Sequence, residues 1–170
     1  MTKYIAFLRG INVGGRKVLM EDLQNCFVSH GFSTVKTLIA SGNVMFESEE
    51  TNEEKLRVEI EKILLEKFNF SIFVILRMKK EVESLVKKYT FSSENFEKGT
   101  RLQITLFSND IKSSEVIKKE EFEIHLLGKR ELVSIVYPEG KTTELMTFID
   151  KTFGKNSTTR NWNTILKLVS

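Results

Sequence analysis

The sequence holds one cysteine, Cys26, and one proline, Pro138, among its 170 residues. A single thiol excludes an internal disulfide framework and points to a reducing compartment. No apolar run approaches the ~20 residues that a membrane-spanning helix needs. Residues 1–9 have an apolar core too short for a signal peptide and no cleavage pattern, so a cytoplasmic location without membrane contact is expected. No zinc-ligand spacing, no nucleophile elbow and no G-x-G-x-x-G fingerprint occurs, and the expectation is no metal and no cofactor. Acid is missing from both ends: residues 1–20 carry Lys3, Arg9, Arg16 and Lys17, and residues 151–170 carry Lys151, Lys155, Arg160 and Lys167. The formal net charge of +3 therefore hides two basic ends around a middle with 18 basic and 23 acidic residues. Acid-free basic segments favour anionic partners.

What is present suits a soluble, globular chain. Hydrophobic residues make up 41% and charged residues 29%. A chain of this length buries about 70% of its unfolded surface, so it needs no covalent staple. Residues 4–9 are almost continuously apolar, as in a strand buried on both faces. Leu23, Cys26, Phe27 and His30 share one face of a helix that Gly31 stops. His30 on that face is expected to be a core or boundary residue. Residues 35–40 and 44–47 read as strands around a Ser41-Gly42-Asn43 turn. A helix capped by Thr51 or Asn52 should bury Leu56, Ile60, Ile63 and Leu64. Residues 70–76 read as a strand, and 79–89 as a helix with Val82, Leu85 and Val86 inward.

Residues 91–100 are polar and irregular, which predicts a linker between a unit at 1–90 and a unit at 101–170. The second unit opens with a strand at 102–106. A short helix over 110–119, a strand over 122–126 and another over 131–137 follow. Tyr137-Pro138-Glu139-Gly140 fits a tight turn. Helices over 143–153 and from Thr159 to Val169 complete it. In the last, Trp162, Ile165, Leu166 and Val169 should be buried, and Arg160, Asn163, Thr164 and Lys167 should form a polar stripe. The first six elements have the split βαβ order, and the second half repeats it without a clear fourth strand. The fold class expected is α+β, with two ferredoxin-like subdomains. In such a unit the first two strands run the same way, so the loop 10–17 and the turn 41–43 should be neighbours.

The sharpest local feature is Leu8-Arg9-Gly10-Ile11-Asn12-Val13-Gly14-Gly15-Arg16-Lys17. A glycine-rich turn between strand and helix points backbone amides at an anion. Gly10 and Gly15 have the phosphate-loop spacing, but Arg16 follows Gly15. Lys17 comes one position late and Val18 stands after it in place of Ser or Thr. The alternative use of these glycines is backbone geometry alone.

Residues 8–15, Ser41-Gly42-Asn43 and Thr159-Arg160-Asn161-Trp162-Asn163-Thr164 together resemble the signature of a bacterial family known only as a domain of unknown function. The resemblance implies a compact cytoplasmic α+β protein without an assigned activity. The candidate ligand-binding residues are Arg9, Gly10, Asn12, Gly14, Gly15, Arg16, Lys17, Ser41, Asn43, Arg160, Asn161 and Lys167. The expected partner is a small anionic or phosphorylated ligand. Arg9, Arg16, Lys17 and the amides of residues 12–15 would hold it, Asn43 would orient it, and Arg160 and Lys167 would close the pocket. No residue qualifies as a general base, so the sequence assigns no reaction. Two alternatives stand beside this one: a structural or protein-interaction module in which Asn12, Asn43 and Arg160 are buried fastenings, and RNA binding on a ferredoxin-like sheet. Cys26 on an apolar face should be an inert thiol. His125 with Glu121 and Glu123 should be the wet face of a strand.

Overall fold

The computed structural model describes residues 1–38, 42–91, 95–113 and 116–170. The chain divides into two compact units, Met1–Glu83 and Ser84–Ser170.

The first unit contains β1 (Thr2–Arg9), α1 (Met20–Ser29), β2 (Ser33–Leu38), β3 (Asn43–Ser48), α2 (Glu53–Phe68), β4 (Phe73–Met78) and the first half of α3 (Lys79–Lys88). The sheet order is β2-β3-β1-β4, and each pair is antiparallel. This is the ferredoxin-like arrangement expected from the order of the elements. Alternation along β1 sends Tyr4, Ala6 and Leu8 to the face covered by the helices. There they meet Leu23, Cys26 and Phe27 of α1 and Leu56, Ile60, Ile63 and Leu64 of α2. Ile5, Phe7, Ile75 and Arg77 on the opposite face are buried as well, which accounts for the continuous apolar run at residues 4–8.

Local chemistry sets the helix ends. The Asn52 side chain accepts a hydrogen bond from the Lys55 amide at 2.9 Å, satisfying an orphan donor of α2. Glu61 on α2 accepts from the Val74 amide at 3.0 Å and pairs with Arg57 at 2.7 Å, which ties α2 to β4. His30 is the exposed C-cap of α1 rather than a core residue. Helix α1 ends one residue before it, and its ring nitrogen reaches back to the Cys26 carbonyl at 2.8 Å. In α3 only Val82 is fully buried, while Leu85 and Val86 are half-buried.

The second unit contains the end of α3, then β5 (Arg101–Phe107), β6 (Ile117–Lys118), β7 (Phe122–Leu126), β8 (Glu131–Val136), α4 (Thr142–Phe153), β9 (Ser157–Asn161) and α5 (Trp162–Val169). The sheet order is β6-β7-β8-β5-β9, antiparallel throughout. Leu145 and Ile149 of α4 pack on Phe107, Phe122, Ile124, Leu132 and Val136. The expected turn at residues 137–140 is present, with the Gly140 amide donating to the Tyr137 carbonyl at 2.9 Å.

Two sequence expectations for this unit are corrected. The short helix over 110–119 is replaced, among its described residues, by irregular chain and β6, which pairs Ile117 with Ile124 and Lys118 with Glu123. The fourth strand that the sequence does not declare is β9, so the unit has the same core order as the first. Residues 159–161, read as the start of the last helix, instead pair with β5 from Gln103 to Thr105.

Candidate functional site

Within the first unit, the glycine loop leaves β1 and meets the β2–β3 turn. The Leu8 amide donates to the Gly42 carbonyl at 2.8 Å. Gly42 has φ +78°, and a β-carbon there would lie 2.8 Å from Ile11 Cδ1 and 3.1 Å from Leu8 Cβ. A side chain there would force Ile11 to shift and would have to adopt a left-handed backbone, so the two loops meet closely at this position. The expected neighbourhood of loop and turn is therefore present. Asn43 is fully buried and its side-chain amide donates to the Leu38 carbonyl at 3.0 Å. It braces the hairpin rather than standing open to orient a ligand. Ser41 lies outside the described residues.

The loop itself is pinned at its base and open at its tip. Asn12 Oδ1 accepts from the Val18 amide at 2.8 Å, and the Arg16 amide donates to the Val13 carbonyl at 3.1 Å. Residues 12–17 are all exposed. Gly10, Gly14 and Gly15 have φ +69°, +60° and +81°, and nothing lies within 4 Å of the β-carbon positions of Gly14 and Gly15. The Arg16 guanidinium stands 4.7 Å from the centre of the Phe70 ring, a cation–π contact at an exposed position. Arg9 ends β1 opposite Phe73 and is half-buried.

The loop is separated from the helix by residues 16–19, and α1 starts at Met20, where the apolar spacing changes, with no side-chain cap. Glu21 and Asp22 occupy the first turn and neutralise the positive end of the helix dipole. Any anion at the loop would depend on loop amides and cations, not on α1.

Arg160, Asn161 and Lys167 belong to the second unit. Arg160 is not on a helical stripe: it lies in β9, 8% exposed, and its Nη1 donates to Thr158 Oγ1 at 2.7 Å and to the Thr159 carbonyl at 3.0 Å. Burial pushes its guanidinium down to about 10, which still leaves it charged at neutral pH. Asn161 is the N-cap of α5, its Oδ1 accepting from the Asn163 amide at 2.9 Å. The buried stripe of α5 is Trp162, Ile165 and Leu168; Leu166, expected inside, is exposed. Lys167 sits exposed in the last helical turn, where a cation complements the helix dipole.

The sequence reading missed what surrounds Asn161 and Trp162. A cavity of about 390 Å³ lies there, lined also by Phe91, Lys98, Thr100 and Arg101. Residues 91–100 carry no periodic signal and read as a linker. Only the pairing of Asn161 with Gln103 shows that the end of β9 comes down beside the start of β5.

Elsewhere, Cys26 is buried and burial pushes its thiol up, as an inert thiol requires. Glu123 accepts from the Tyr137 hydroxyl at 2.5 Å and lies 3.0 Å from His125 Nε2. These bonds, led by the Tyr137 hydroxyl, hold its carboxyl below the usual carboxylate range. Among the described residues no three His, Cys, Asp or Glu side chains stand close enough to hold a metal, and no helix is long and apolar enough to cross a membrane.

The fold and these loops define an α+β protein of two ferredoxin-like units with a pinned glycine loop at a sheet end. The chain belongs to the family described as "Protein of unknown function (DUF1697)", which matches residues 1–131. The conserved bacterial protein SP0830 from Streptococcus pneumoniae has a similar fold: TM-score 0.71 at 21% identity, covering 99% of this chain and 97% of that one. No curated protein matches the chain.

Proposed function

We propose that the protein binds a small anionic ligand, such as a phosphorylated metabolite or a nucleotide, at the tip of the Gly10–Lys17 loop. The observation that carries this reading is the contrast between the loop's pinned base and its open tip. Asn12 and Gly42 fix the base, while Gly14 and Gly15 leave open space beside Arg16 and Lys17. Pre-organised backbone lowers the ordering cost of binding. Arg16 lies against the Phe70 ring, and no acid lies within residues 1–20 to repel an anion. Arg9 would add charge from the end of β1, and Asn43 braces the neighbouring hairpin through Leu38.

The second reading, a structural module without a ligand, is favoured by the close approach of Gly42 to Ile11 and by the buried bond of Asn43 to Leu38. Thermal unfolding of the full chain with phosphate, sugar phosphates and nucleotides, at matched ionic strength, separates the two. A ligand at about 100 times its dissociation constant adds about 2.7 kcal/mol. This gain should disappear in the Arg16→Gln/Lys17→Gln double variant. Stabilisation no greater than sodium chloride gives, for every compound, would leave the structural reading.

A further inference from the structure

The cavity beside Asn161 and Trp162 arises from a mismatch of lengths. Strand β9 pairs with β5 from Phe107 back to Gln103 and then turns into α5, so Arg101 and Leu102 have no β9 partner. The space left over holds about 390 Å³, toward the small end of ligand-sized pockets, which run from roughly 300 to 1,000 Å³.

Its lining has two chemical characters. One is aromatic: Phe91 and Trp162 meet edge to face with ring centres 5.1 Å apart, and Phe96 adds a third ring. The other is cationic. Among the described lining residues, Lys98 and Arg101 stand against one acid, Glu97. The first turn of α5 also faces the space through Trp162 and Asn163, and it contains no acidic residue. A helix start without acid adds partial positive charge. Arg101 donates through Nη2 to the Gly140 carbonyl, which holds its guanidinium in place at the cavity wall.

From these features we infer that the cavity is a binding site for a small aromatic anion: one ring for the Phe91–Trp162 wall, and a carboxylate or phosphate for Arg101, Lys98 and the start of α5. The site lies wholly in the second unit and stands independently of the loop in the first.

The chain's only tryptophan lines the cavity, so its emission reports occupancy directly. Phenyl phosphate and benzoate are titrated into the full chain, with inorganic phosphate as the anion without a ring and benzyl alcohol as the ring without charge. At least one aromatic anion should shift Trp162 emission saturably and bind about tenfold or more tighter than either half-probe. Whether phenyl phosphate or benzoate binds tighter decides which anionic group the site prefers. Lys98 is exposed, so Lys98→Glu should leave the fold intact while weakening the aromatic anion about tenfold and leaving benzyl alcohol unchanged. The inference is overturned if neither aromatic anion gives a saturable change, if benzyl alcohol binds as tightly, or if Lys98→Glu leaves anion affinity unaltered in a chain with native circular dichroism.

Discussion

A glycine at φ +60° to +80° can serve two purposes, and the surroundings of each glycine separate them. At Gly42 a methyl group would strike Ile11 Cδ1 at 2.8 Å; at Gly14 it would meet nothing within 4 Å. Both positions pay the left-handed backbone cost when changed to alanine, about 1 kcal/mol. Gly42→Ala adds a steric clash between two loops, so its loss should reach about 3 kcal/mol. Urea unfolding of the two variants should order them so. Equal losses would mean that the loops are not pressed together. The sequence placed both glycines at turns and could not rank them, since the difference lies in Leu8 and Ile11, more than 30 positions away along the chain from Gly42. Similarly, Asn12 and Asn43 were legible as polar residues at special positions. That each is a brace follows only from its partners, the Val18 amide and the Leu38 carbonyl.

At the scale of elements, strong periodicity was legible and polar strands were not. Helix α2 declares itself through Leu56, Ile60, Ile63 and Leu64, and all four are buried. Strand β9 reads Ser-Thr-Thr-Arg-Asn, a run with no apolar alternation that suits a helix cap equally well. It becomes a strand because β5 presents an edge to it, and the Thr159 hydroxyl bonds that of Thr105 at 2.8 Å. The same override places Ile117 and Lys118 beside β7. Strands β7 and β8 are further tied by Tyr137, which follows β8, donating to Glu123. The Glu123 carboxyl is held below its unfolded value, so its contribution is present above that value, about 4.3, and is lost as pH falls through the lower folded one. Tyr137→Phe should therefore destabilise the chain at neutral pH, and the deficit should shrink below about pH 4. A deficit independent of pH, in denaturation curves from pH 3 to pH 7, would show that the hydroxyl does not act through Glu123.

For the molecule as a whole, the modest charge of +3 was the least telling number and its distribution the most telling. Each unit receives one acid-free end: residues 1–20 supply the first unit with its loop, and residues 151–170 supply the second with β9 and α5. The fold class was legible because the order of elements admits few topologies. The cavity was not, because its lining joins Phe91 and residues 96–102 to Asn161, Trp162, Asn163 and Leu166 through strand pairing and one ring contact. The proposed activity rests on the loop tip, and the amide NMR spectrum of the full chain, titrated with inorganic phosphate, tests it most directly. The account predicts saturable shifts concentrated in the backbone amides of residues 12–17 and abolished in Arg16→Gln/Lys17→Gln. Shifts no larger than those from sodium chloride at equal ionic strength, or spread evenly over the surface lysines, would contradict it.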